Sequence, residues 1–135
     1  MNHIGILLLG MVFLAGCQAR GVENNKDLEQ NMMDLRLYQE NLGDYIREGD
    51  MDNASWLLEG MDSIMLILND RFQEHRRLNG PFSYYYKKEL QAPVRNLREA
   101  IREGDTARAM KSYRLLIDNC NDCHIDNEVD KEVRY

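Results

Sequence analysis

Two cysteines and a histidine stand together near the C-terminus, in Cys120-Asn121-Asp122-Cys123-His124. Thiols three residues apart can add across the vinyl groups of a haem, and the histidine that follows is placed to bind its iron. The pattern reads as a covalent attachment site for haem c. On a helix Cys120, Cys123 and His124 are related by three and four residues and share one face, so a single helix can hold both the porphyrin edge and the metal. Competing chemistries lack their partners. A thioredoxin-like pair needs an α/β pattern around C-x-x-C, and a structural zinc site needs a second pair of Cys or His ligands. A disulfide across so short a helical spacing would be strained.

The third cysteine has a different setting. Ile4 to Cys17 is an apolar run that is short for a bilayer span and ends in small residues, like the core of an export signal. Leu14-Ala15-Gly16-Cys17 resembles the bacterial lipobox. That resemblance implies a lipoprotein signal peptide over residues 1–16 and lipidation of Cys17 as the first residue of the processed chain. One thiol is then assigned to lipid, two to haem, and none to disulfides. Export and covalent haem both point to a periplasm-facing domain anchored to a bacterial membrane. Gln18, rather than aspartate, favours the outer membrane.

A chain of 135 residues is long enough for one small domain. Its formal net charge of −6 is mixed in sign along the sequence, which argues against nucleic-acid binding. Nothing resembles a nucleophile with its base, a phosphate loop or a catalytic carboxylate pair, so no enzymatic activity is expected. Residues 17–26 are polar and read as a tether. From Asp27 onward apolar residues recur at three and four, the pattern of an all-α protein.

Four helices should position the site. The first covers about Asp27 to Glu48, with Leu28, Met32, Leu35, Tyr38, Leu42, Tyr45 and Ile46 along one stripe, and Gly49 ends it. The second, capped by Asp50 or Asp52, runs to about Leu78 and carries His75 on its stripe. The third extends from near Ser83 to about Glu103, with a kink expected at Pro93. The fourth leads from Ala109 through Tyr113 and Leu116 to Cys120. The four-helix domain thus spans 27–124, and the acidic tail 125–135 is expected to fray. An internal echo divides the chain in two: Ile46-Arg47-Glu48-Gly49-Asp50 recurs as Ile101-Arg102-Glu103-Gly104-Asp105. Aligned on it, Met65 and Leu68 correspond to Cys120 and Cys123, which places the cysteines at core positions.

An up-down-up-down antiparallel four-helix bundle ending in C-x-x-C-H is similar to cytochrome c′, and Asp27-Leu28-Glu29-Gln30-Asn31-Met32 resembles the ligand-bearing segment of the cytochrome b562 family. The likeness implies haem iron held by Met32 and His124, with single-electron transfer to redox partner proteins. Alternation of helix direction brings Met32 and His124 to one end, while Met33 points away; His75 is the rival sixth ligand. Arg76, Arg77, Lys87 and Lys88 could pair with haem propionates, and Tyr84-Tyr85-Tyr86 must leave one or two rings exposed. Two other readings remain: a five-coordinate, cytochrome c′-like binder of nitric oxide or similar gases, and a haem-free helical interaction module.

Overall fold

The computed structural model describes residues 19–130 and 132–134, with side chains described from Leu28 onward. The signal peptide expected over 1–16 and the lipidation expected at Cys17 lie outside the described residues. What is described is all-helical. Helix α1 is Ala19–Glu48, α2 is Met51–Arg71 and α4 is Thr106–Asp126. Helix α3 is built in three consecutive pieces, an α-helical turn Phe82–Tyr85, a π-helical stretch Tyr86–Leu90 and an α-helix Gln91–Arg102. The first helix is therefore already formed at Ala19 rather than at Asp27, and the described part of the stretch read as a tether, from Ala19 on, is helical.

The echoed sequence builds the same turn twice. Gly49 and Gly104 adopt φ +77° and +70°, the left-handed region that glycine enters without a Cβ clash. In each copy the residue after glycine bonds back to the fifth residue before it: Asp50 N–H to Tyr45 O at 2.9 Å, and Asp105 N–H to Ala100 O at 3.0 Å. This closes the preceding helix in a Schellman motif. The same aspartate opens the next helix, its side chain accepting from Asn53 N–H in one copy and Arg108 N–H in the other. Such caps contribute about 1 kcal/mol each. Ala54 and Ala109 are both fully buried immediately beyond.

The second helix is shorter than expected. It stops at Arg71 because Phe72 leaves helical geometry (φ −106°, ψ 57°) while staying buried, and Phe72 O accepts instead from Phe82 N–H. Residues 72–81 form a connecting loop, so His75 stands on that loop and not on a helical stripe. In α3, Pro93 has no N–H for Glu89 O. That carbonyl accepts from the Asn119 side-chain amide of α4, and the helix widens to a π turn just upstream, with Gln91 N–H bonding Tyr86 O. The strain expected as a kink is thus taken up by a π stretch and a cross-helix bond.

The inner faces meet in one core. Leu42, Ile46, Leu58, Met61, Met65, Leu68, Leu97, Tyr113, Leu116 and Ile117 are essentially fully buried, drawn from all four helices. The packed neighbours are α1 with α2, α2 with α3, α3 with α4, and α4 with α1. On α3 Tyr85 and Tyr86 turn inward and Tyr84 is exposed. Arg98 of α3 reaches Glu59 at 2.8 Å and Asp62 at 2.5 Å on α2, and Tyr86 Oη donates to the same Asp62.

Glycine lets two aromatic rings enter the helix contacts. A Cβ on Gly60 would overlap the Tyr38 ring, and one on Gly43 would lie 2.6 Å from Tyr113 Oη. Tyr113 cannot yield easily, since its hydroxyl donates to Gln39 O at 3.0 Å and accepts from Gln39 Nε2. Gly43→Ala should therefore destabilise the fold by about 1–3 kcal/mol despite alanine's better helix propensity. Chemical denaturation will show this as a lower midpoint at unchanged slope; equal or higher stability would mean that the α1–α4 contact relaxes freely.

Candidate haem site

One end of the bundle gathers segments distant in sequence. Arg77, in the loop after α2, pairs with Glu29, about three turns into α1, at 3.0 Å. Asn79 of the same loop holds the end of α4: its N–H donates to Asn127 Oδ1 at 2.6 Å, and its side-chain amide donates to Asp126 O. The Glu29 level of α1 and the end of α4 therefore lie together, and C-x-x-C-H occupies the last turns of α4.

Register places Met32 near the motif. Gln39 and Tyr113 touch across α1 and α4. Seven residues, or about two helical turns, separate Tyr113 from Cys120, and the same interval separates Gln39 from Met32. With Glu29 and Asp126 at the same end, both steps lead toward it, so Met32 and Cys120 arrive at about the same level. Each is partly buried against the core, whereas Met33 is 60% exposed. The structure thus separates the two methionines by face.

Cys120 and Cys123 are both free thiols and both half-buried. Burial, and secondarily Cys123, pushes the Cys120 thiol up to about 12. Burial and the Asp126 carboxylate push Cys123 up to about 11, against the opposing hydrogen bond from Asn127. Both remain protonated at neutral pH. Redox C-x-x-C pairs and zinc ligands work through thiolates, which this environment disfavours. Asn127 Nδ2 donates to Cys123 O at 2.7 Å and approaches its sulfur at 3.6 Å, while Val129 N–H donates to His124 O. These bonds hold the final turn, and with it the half-buried His124. Among the described residues no three His, Cys, Asp or Glu side chains cluster to hold a metal ion.

The rival His75 lies at this same end but is engaged in its loop. Its ring packs edge-on against Phe72 at 5.5 Å, and Nδ1 accepts from Arg77 N–H at 3.2 Å. Burial, followed by Arg76 and Arg77, lowers its pKa and favours the neutral ring. Of the basic residues expected near propionates, Arg77 pairs with Glu29 and Lys88 with Glu89; Lys88 also sits 5.4 Å above the Tyr84 ring.

The tail, expected to fray, is held by hydrogen bonds where it is described. Asn121, inside the motif, pairs with the backbone of Val133 in both directions: Val133 N–H donates to Asn121 Oδ1 at 2.7 Å, and Asn121 Nδ2 donates to Val133 O at 2.9 Å. Gln39 Nε2 adds a bond to Arg134 O at 2.8 Å, and Val133 packs on the core. Sequence reading missed these residues, although one signal was present. Gln39 falls four after Leu35 and three before Leu42, a lone polar side chain on an apolar stripe, and it is only 2% exposed.

The donor set fits a covalently held haem: two protonated thiols outside any disulfide on one helical face, an imidazole next to them in the chain, and a methionine at about the same level on α1. Hollows of about 470 Å³ (lined by Gln73, His75, Leu78 and Pro81 among others) and 420 Å³ (Arg77 and Asn127 to Asp130) flank this end. Comparison with family models, with curated proteins and with solved structures found no match.

Proposed function

We propose that the protein is a lipid-anchored c-type cytochrome that passes single electrons on the outer side of a bacterial inner or outer membrane. The observation that carries this reading is the convergence of Cys120, Cys123 and His124 on the last turns of α4 with Met32 at the same level on α1. A haem bound there supplies a reversible one-electron change between Fe(III) and Fe(II). Cys120 and Cys123 would hold its edge by thioether bonds. His124 and Met32 would hold the iron, and a methionine thioether would favour the ferrous state and raise the potential. Protein ligands on the iron would keep substrates from it and leave outer-sphere electron transfer as its chemistry. Leu28, Met65, Leu68, Phe72 and Leu116 belong to the buried core that Met32 and Cys120 pack against, and an apolar setting of this kind would disfavour the more highly charged ferric form. Among the described residues no helix is long and apolar enough to cross a membrane; attachment is assigned to lipid on Cys17.

The test is a haem stain of the full chain on a denaturing gel, followed by optical spectra. Covalent stain, a low-spin ferric spectrum and a weak red methionine–iron band are expected. Absence of stain would leave a haem-free helical module. A high-spin ferric spectrum with immediate carbon monoxide binding after reduction would replace electron transfer with gas binding at an open iron.

A further inference from the structure

The described tail residues 129–130 and 132–134 lie back against the motif after α4. The reversal is built locally: Asn127 caps the helix, Glu128 takes φ 54°, and Val129 N–H returns to His124 O at 2.8 Å. Tail residues lose much conformational freedom when ordered, so an ordered tail needs specific attachments. Two side chains supply them. The Asn121 amide offers one donor and one acceptor in the spacing of a peptide group, and it uses both on Val133. Gln39 projects from α1, on the opposite side of the groove, to Arg134 O. Bonds to both helices mean that the tail crosses the α1–α4 groove. Asn121 is adjacent to Cys120, and Gln39 lies one layer deeper, beside Tyr113; Val133 therefore packs between those layers.

We propose that Asn121 and Gln39 are positioning residues that hold the C-terminal tail as a strap across the α1–α4 groove, shielding the Cys120 sulfur and whatever is bonded to it from solvent. As it concerns haem, the strap rests on the cytochrome reading: it closes the Cys120 side of the site to water and external ligands. As it concerns the thiol, it holds without haem. The distinction matters chemically because Cys120 and Cys123 have different covers. Cys123 is attended by Asn127 within the helix end, whereas the strap is bonded to Asn121, next to Cys120 in the chain. Asn121 is specific to the task, since aspartate at that position would keep the acceptor for Val133 N–H and lose the donor for Val133 O.

The experiment uses full-length chain produced without haem, together with Asn121→Ala and a chain ending at Glu128. Iodoacetamide is the probe, and mass spectrometry separates modification of Cys120 from that of Cys123. Cys120 alkylation should accelerate at least tenfold in both variants, while Cys123 changes less than twofold and circular dichroism stays helical. Unchanged Cys120 reactivity in both would overturn the strap. Should either variant unfold, hydrogen exchange on the unaltered chain decides: the Val133 amide should exchange at least tenfold more slowly than an unstructured peptide, and exchange at the unstructured rate would overturn the proposal. In haem-loaded Met32→Ala protein, where the iron is open, adding Asn121→Ala should speed carbon monoxide binding at least tenfold. Faster thiol alkylation in a protein that never acquires haem would sustain the strap and defeat the cytochrome reading.

Discussion

Cys120→Ala combined with Cys123→Ala is expected to abolish covalent haem while the helices stay folded. Neither sulfur is in a disulfide, so no cross-link is lost. Both sites are half-buried, and alanine keeps helix propensity high. The stability change should stay within about 1–2 kcal/mol. Haem stain on a denaturing gel should fall to background in the double variant. Each single variant should retain stain through its remaining thiol. The axial bonds assigned to His124 and Met32 do not depend on the thioethers, so the double variant should still bind added haem in a form that acidified organic solvent extracts. Persistent stain without both cysteines would remove the motif from the site. Loss of all haem binding with helicity intact would show that the pocket cannot hold haem without its covalent links.

The second large effect is expected from Met32→Ala. Removing the thioether leaves the iron with an open or water-filled position, a high-spin ferric spectrum, access for external ligands and a lower potential. Axial ligands tune haem potentials over about 0.8 V, so a fall on the order of 0.1 V is the scale to expect. Because Met32 is only partly buried, stability should fall by about 1–2 kcal/mol, less than for a fully buried methionine. Met33→Ala removes an exposed side chain and should leave spin state and potential unchanged. His75→Ala completes the set. A low-spin spectrum surviving Met32→Ala but lost in His75→Ala would assign the sixth position to the loop histidine.

The pattern of threes and fours carried most of the helical layout, because a core drawn from four helices imposes that period on each: Leu97 and Ile101, or Tyr113 with Leu116 and Ile117, are buried as their spacing requires. The echo also carried a turn, since glycine followed by a capping aspartate has one economical geometry. Local pattern failed where tertiary bonds decide. Nothing in residues 72–78 announces that Phe72 will leave the helix, because its place is set by Phe82 from beyond the loop. Pro93 signals a break, but the remedy depends on Asn119, twenty-six positions away. The tail looked soluble and unpatterned, and its order comes from Gln39 and Asn121, long-range partners that composition does not reveal. At the site itself, cysteine spacing was legible, and the level of Met32 followed once Gln39 and Tyr113 fixed the register.

The repeated turn has a mechanical consequence. At one end of the bundle, α1 joins α2 and α3 joins α4 through paired Schellman closures and aspartate caps, which leave no slack between successive helices. At the other end, the connection is the loop 72–81 and the closure is a strap of side-chain bonds. A flat ligand that must be admitted between helices then meets a pair of tongs, with the glycine turns as stiff pivots and the loop and strap as the jaws. Opening is confined to the end that carries the cysteines, and the far end keeps the helices in register while it happens.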